Sequence, residues 1–299
     1  MKIIFSRKGF DWENGGVPSP IFPGGRFCSL PIPSKRSYCK FTQIQFDDEN
    51  VGRLVDDLTG GDGVNRNTYT SLDPDLRRSA LPHDRVRDRA WLPMFGPGKG
   101  AQTHLEKNGV GVGDLFLFFG WFRGVEKQNG HYKYAPGARN IHSLFGWLQV
   151  GEIYHSFLPA ARVPEWARHH PHIYNSCANE SWYRMKSYFD TVYVGRKHLE
   201  LPGFRRSLPG AGVFERYHES LCLTEIHASR SLWRLPRWMY PFPGKKPLSY
   251  HEAKRRWRRD QKGTLLRTVA KGQEFVLDCA DYPDQKVTRW LHRLFAHAA

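Results

Sequence analysis

Residues 109–123 read GVGVGDLFLFFGWFR, and residues 142–154 read HSLFGWLQVGEIY. Each is an apolar, aromatic run of strand length bounded by glycine, and neither shows the 3.6-residue period of an amphipathic helix. Nearly continuous hydrophobicity marks strands covered on both faces. The stretch Gly109–Glu152 therefore reads as two long neighbouring strands, the first over Leu115–Phe122, at the centre of a sheet or barrel. Asp114 opens the first run, His142 starts the second, and Gln149 and Glu152 lie inside and after it. Packing explains the apolar residues as core. It does not explain the polar ones at the strand ends, which are placed to line a pocket.

Outward from this centre, residues 2–5 read as a first strand running into the polar loop Ser6-Arg7-Lys8-Gly9-Phe10-Asp11, a usual place to present functional groups from a rigid edge. The Gly/Pro-dense segment 15–33 fixes a loop path rather than a helix. Alternation over 36–46 predicts a strand, and Asp47–Leu58 a short helix. Pro93–Gly100 is a loop that leads into a helix carrying Gln102 and reaching Lys107. Ala160–Arg168 reads as a short helix, Asp190–Val194 as a strand, and Gly272–Asp278 as a strand ending in an acid. Val287–His297 predicts a closing helix with Trp290, Leu291, Leu294 and Phe295 on one side. With no repeat and no linker, the expectation is one integrated domain over 1–299, its core at about 1–215 and a basic elaboration at 216–299. The fold class is α+β: a central mixed sheet or partly open barrel with helices.

The 299 residues carry 40% hydrophobic and 14% aromatic side chains, which argues for a folded core. No run of 18 apolar residues offers a transmembrane helix, and the apolar part of the N-terminus is too short for a secretory signal, so a cytoplasmic protein is expected. The five cysteines are widely spaced without a C-x-x-C pair, which suggests buried thiols rather than disulfides or zinc. His169-His170-Pro171-His172 fits metal-ligand spacing poorly, so no metal and no cofactor is expected. Walker, zincin, nucleophile-elbow and zinc-deaminase patterns are missing, which leaves acid/base chemistry by carboxylates, amides and a lysine.

A formal net charge of +16 is a statement about partners, most simply nucleic acid. Two segments interleave arginine and tryptophan. The first holds Arg230, Trp233, Arg234, Arg237 and Trp238; the second, His251–Lys262, reads as a helix with Lys254, Arg255, Arg256, Trp257, Arg258 and Arg259. Such mixtures suit phosphate pairing with stacking on exposed bases. No clean amphipathic basic helix points to a membrane.

The segments SRKGFD (6–11), GGVPSPI (15–21), LPIP (30–33), Gly100–Leu105, GDLFLFFGWFR (113–123), FGWLQVGE (145–152), LPGAGVF (208–214) and GQEFVLD (272–278) together resemble the nucleotide-modification-associated domain 3 family. The likeness runs from Lys2 to about Asp278. It departs just after SRKGFD, where Trp12-Glu13-Asn14 stands in place of a small or acidic first residue. The family is associated with phage-type DNA bearing elaborately modified bases, and the resemblance implies a standalone protein that acts on or reads such bases. Members are similar to antiphage DNA glycosylases that remove glucosylated hydroxymethylcytosine. A looser likeness, confined to Gly109–Glu152, is to PUA-like base readers of the YTH, EVE and ASCH kind.

From these readings the expectation is a DNA glycosylase that flips a modified base out of the duplex. Its catalytic candidates are Asp11 first, for a carboxylate flanked by Arg7 and Lys8, then Asp278, with Lys8 as a Schiff-base nucleophile in a strand-cutting variant. Gln102, Asp114, His142, Gln149, Glu152 and Glu274 are the candidates to hold the base, and Arg7 with the Arg/Trp segments to hold duplex DNA. No protein partner is expected. The alternatives are a non-catalytic reader of modified bases and an enzyme that decorates them further.

Overall fold

A computed structural model describes residues 1–35, 37, 39–82, 87, 89–155, 163–167, 170–172, 191–270 and 272–298. In chain order its strands and helices begin with β1 (Lys2–Arg7), β2 (Ser19–Ile21), β3 (Cys39–Lys40), β4 (Gln45–Phe46), β5 (Glu49–Asn50), α1 (Val51–Thr59), β6 (Tyr69–Thr70), β7 (Met94–Phe95) and α2 (Lys99–Lys107). The central pair follows, β8 (Leu115–Gln128) and β10 (Ile141–His155), separated by β9 (His131–Tyr134). Then come β11 (Thr191–Gly195), β12 (Ala211–Val213), β13 (Leu232–Leu235), β14 (Trp257–Arg259), β15 (Thr264–Arg267), β16 (Glu274–Asp278) and α3 (Asp284–Phe295).

The main sheet has nine strands in the order β16-β1-β8-β10-β11-β7, with β2 and β9 added to β8 and β12 to β10. It is mixed and open, so the barrel alternative does not hold. The long apolar runs are its antiparallel centre, pairing Leu115 with Gln149 at one end and Phe122 with Ile141 at the other. β1 lies parallel to β8, and β16 closes antiparallel on β1, setting Lys2 beside Asp278 and Ser6 beside Glu274.

Alternation along β1 divides two buried faces, because paired residues on adjacent strands share a side. Ile3 and Phe5 point with Leu117, Phe119, Phe275 and Leu277 toward Trp233 and the α3 residue Trp290, whose rings lie 5.9 and 6.3 Å from Phe5. Ile4 and Ser6 point with Phe116, Phe118 and Glu274 to the other side, where Phe95 packs edge-on to Phe116 and Phe118 at 5.1 and 5.3 Å. One core cluster joins residues from Ile3 to Ala298. α3 follows the expected helix closely, burying Val287, Leu291, Leu294 and Phe295.

Several expectations need correction. His251–Lys262 is not a helix: Lys254–Arg256 forms one 3₁₀ turn and Trp257–Arg259 is an edge strand of the sheet β13-β15-β14. Within this edge strand only Trp257 is buried, while Arg258 and Arg259 are exposed. The strand expected over 36–46 is interrupted, since Phe41–Gln43 makes a 3₁₀ turn between β3 and β4. The helix expected at Asp47 starts only at Val51, capped by the Asn50 side chain on Arg53 N, because β4 and β5 form a tight hairpin first. Of Ala160–Arg168, only Val163–Ala167 lies among the described residues, with a 3₁₀ turn over Glu165–Ala167. Cys28, Cys39, Cys222 and Cys279 are free thiols, and Cys177 lies outside the described residues. No helix among the described residues is long and apolar enough to cross a membrane.

Candidate functional site

The end of β1 brings two separate sequence candidates together. Lys8 N–H extends the parallel ladder by donating to Phe119 O at 2.8 Å, and Gly9 then turns the chain away at φ +79°. A side chain at Gly9 would meet Ser29 Oγ at 2.4 Å, so glycine is required at this turn. Lys8 Nζ lies 2.8 Å from Glu274 Oε1, with the two side chains 8% and 0% exposed, and 4.3 Å from the centre of the Phe95 ring. Glu274 is the register partner of Ser6, and both Glu274 Oε2 and Ser6 Oγ are buried without a hydrogen-bond partner.

Such a pair is poor construction for stability alone. Desolvating two charges costs several kcal/mol per ion, and apolar replacements are often as stable. Two orphaned oxygens add about 1–3 kcal/mol each. The pair therefore leaves a carboxylate oxygen and a hydroxyl near an ammonium with hydrogen-bonding capacity that no protein group uses.

Asp73, on a loop, feels the charge of Lys8, and its own contacts are with Gly96, His170 and His172. Gly96 N donates to its Oδ1 at 2.9 Å, His170 Nε2 lies 3.5 Å from Oδ1, and His172 Nε2 lies 3.8 Å from Oδ2. Burial raises the Asp73 pKa, but contact with His170 and the charges of His172 and Lys8 outweigh it and hold the group below the usual carboxylate range. It is therefore an ionised acid at neutral pH. The Phe95 ring stacks on Tyr193 at 6.2 Å, and Tyr193 Oη donates to Gln102 Oε1 at 3.1 Å, so Gln102 on α2 does belong to the surroundings. Gln102 Nε2 is engaged by Glu106 at 2.9 Å.

The remaining candidates lie elsewhere. Asp278 sits beside Lys2 at the opposite end of β16 from Glu274, and its Oδ1 caps a 3₁₀ turn at Ala280 N. At about 3.4 Å per residue, four residues put it more than 10 Å from Lys8's strand end. Asp114 is at that far end too, accepting from Lys2 N and Gly111 N. Gln149 is saturated structurally, bridging Gly113 O, Glu200 O and Glu200 N. Glu152 is exposed and paired with the Tyr154 hydroxyl. These four do not share a pocket with Lys8; they fasten the sheet's other end.

His142 is a core residue. It accepts from Trp233 Nε1 at its Nδ1 over 3.1 Å, and burial, followed by the charges of Arg7 and Arg230, puts its pKa well below the usual histidine value. Protonation would set an N–H against the indole N–H. His251 behaves alike: Nδ1 donates to Ser249 O, Nε2 accepts from Val269 N, and burial lowers its pKa to about 4. Folded-state pKa values below the unfolded value mean the unfolded chain binds protons first. The stabilisation is thus complete above about pH 6.5 and is lost as pH falls toward 4. For His251 alone this amounts to about 3 kcal/mol, measurable as a falling denaturation midpoint in a urea series across that window.

Asp11 accepts at Oδ1 from Glu13 N, Asn14 N and Asn14 Nδ2, at 2.9, 2.7 and 3.0 Å, so it builds the loop that follows Lys8. Its charge acts on Arg7 and Arg230. Arg7, on the opposite face of β1 from Ser6, donates to Ala270 O and Val269 O.

The Arg/Trp segments divide sharply. Trp233 is fully buried and Trp257 is 6% exposed, so neither can stack on a base; both are core of the small sheet, anchored by Nε1 bonds to His142 and to His251 O. Trp238 packs edge-on to Tyr282 and Trp290. Arg234 is occupied by Glu225 and Asp260. Arg237 and Arg256 donate to backbone carbonyls, Arg237 to Asp260 O and Arg256 to Arg267 O. Lys254, Arg255, Arg258 and Arg259 are exposed, and none forms an ion pair among the described residues. They are the basic surface that remains. Arg230 sets its guanidinium 3.9 Å over the Trp121 ring.

Asp73, Phe95, Tyr193 and His170 belong to the site without having been sequence candidates for it. Asp73 lies far from Lys8 in sequence, and only the tertiary fold puts it within reach of the Lys8 charge.

The class defined is an α+β protein with an open mixed sheet and a buried amine–carboxylate centre at the end of its first strand. The chain belongs to the nucleotide modification associated domain 3 family, whose sequence model matches residues 2–278. No curated protein and no solved structure matches it. Membership ties the protein to nucleotide modification.

Proposed function

We propose that this protein is a DNA glycosylase that excises a bulky modified base, with glucosylated hydroxymethylcytosine of phage DNA as the leading substrate, in antiphage defence. The observation that carries the reading is the buried Lys8–Glu274 pair with unpartnered oxygens, whose lysine charge also acts on the ionised Asp73. Family membership supplies the context, and the exposed Lys254, Arg255, Arg258 and Arg259 supply a backbone-binding surface.

In this reading the target nucleotide is flipped toward the end of β1. The bond between C1′ and the base nitrogen breaks, its electron pair leaves with the base, and positive charge develops on the sugar. Asp73 stabilises that charge as a fixed anion. The Lys8 side chain, positioned by its 2.8 Å pairing with Glu274, donates a hydrogen bond to the departing base. Water adds to C1′, giving up one proton that ends on the base nitrogen, so water and nucleotide become free base and an abasic sugar. Glu274 Oε2 is the acceptor available to pass that proton.

Incubation with DNA containing glucosylated hydroxymethylcytosine is expected to release free modified base and leave abasic sites. Tight, selective binding without product would make the protein a reader of modified bases instead. No release from any modified DNA would sink the enzymatic reading.

A further inference from the structure

Directly after the Lys8 turn, Trp12 stands 74% exposed, above every other large apolar side chain that the structure describes as exposed. A single exposed indole needs no explanation by itself. Three features set this one apart. The first is rigidity: Asp11 Oδ1 accepts three hydrogen bonds from Glu13 and Asn14, Asp11 N donates to Asn14 O, and Gly16 N donates to Asp11 O. The loop is closed so tightly that a Cβ at Gly15 would lie 2.2 Å from the Phe10 ring. The second is an aromatic and cationic backing. The Trp12 ring centre lies 6.4 Å from that of Trp121, which carries the Arg230 guanidinium 3.9 Å over its ring and is fixed by Nε1 on Asn140 Oδ1 at 2.8 Å. The third is position: the loop belongs to the same turn of chain that delivers Lys8.

We propose that Trp12 is a stacking platform for an unstacked nucleobase next to the reactive centre, with Arg230 and Trp121 as its support. This inference rests on the DNA reading given above but does not depend on base excision. A rigid, pre-positioned indole loses little conformational entropy on contact, and a base plane offers it the flat apolar partner that it lacks. The cation beside Trp121 suits the phosphates on either side of such a base.

The test uses full-length wild type, Trp12→Ala and Trp12→Phe with a duplex carrying 2-aminopurine opposite an abasic analogue, read by fluorescence and by a salt titration of the dissociation constant. Trp12→Ala is expected to weaken binding by about 5- to 150-fold, the range of one lost base–aromatic stack. Trp12→Phe is expected to recover most of that loss. The slope of affinity against salt should stay unchanged, since no phosphate contact is removed. Thermal stability should also be unaltered at so exposed a position. If Trp12→Ala binds this duplex as tightly as wild type, the platform is overturned while the DNA reading stands. If wild type binds no DNA at all, both fail.

Discussion

Replacing Glu274 by leucine is expected to lower stability by about 3–5 kcal/mol, because it leaves the Lys8 ammonium buried without its counter-ion. Glu274→Gln is expected to keep the shape but remove the charge, and to cut base release by at least about 100-fold, the contribution of one positioned acid–base group. The informative variant is the double one. Lys8→Met with Glu274→Leu replaces both ions by apolar groups of similar volume next to Phe95, Phe116 and Phe118, and such replacements are often neutral or stabilising. A double variant that unfolds at the wild-type denaturant midpoint yet releases no base would separate the two roles of the pair: dispensable for folding and required for chemistry. A pair that is merely structural would behave in the opposite way, with activity following stability through all three variants.

The second large effect concerns Trp233. Its ring contacts Phe5, Phe119 and Phe275 at centroid distances of 5.9, 4.9 and 6.1 Å, and its Nε1 holds His142. Trp233→Ala would leave a cavity between the main sheet and the small one and strip His142 of its donor. The expected loss is about 3–5 kcal/mol in chemical denaturation. DNA affinity of the remaining folded protein, and its salt slope, should not change. A Trp233→Ala protein of wild-type stability but weakened DNA binding would restore the base-stacking role that its complete burial excludes.

What could be read from the sequence divides along physical lines. The runs around Leu115–Phe122 and His142–Glu152 announce themselves because two-sided burial leaves little polar residue in them, and they are indeed the centre of the sheet. The 3.6-residue stripe of α3 is equally plain. The basic segment 251–262 misleads because charge says where a side chain's end lies, not what the backbone does; its inward positions, His251 and Trp257, are few. Lys8 and Glu274 are each visible as polar residues at strand ends. That they meet is decided by the antiparallel register of β16 on β1, a pairing across more than 260 residues. The same register carries Asp278 away from the site. Asp73 joins through a loop, Phe95 through the edge strand β7 and Tyr193 through its neighbour β11, and no local pattern encodes where these segments dock. His142 and Gln149 sit on a central strand in sequence contexts that suit a pocket, yet their hydrogen bonds are satisfied by Trp233, Gly113 and Glu200.

The most direct measurement is a mass-spectrometric time course of free modified base released from a duplex with a single glucosylated hydroxymethylcytosine. Wild type and the Lys8→Met/Glu274→Leu variant would be compared at equal folded concentration. Steady release by wild type and none by the variant is the predicted result. Release by the variant at the wild-type rate would contradict the assignment of the chemistry to the end of β1.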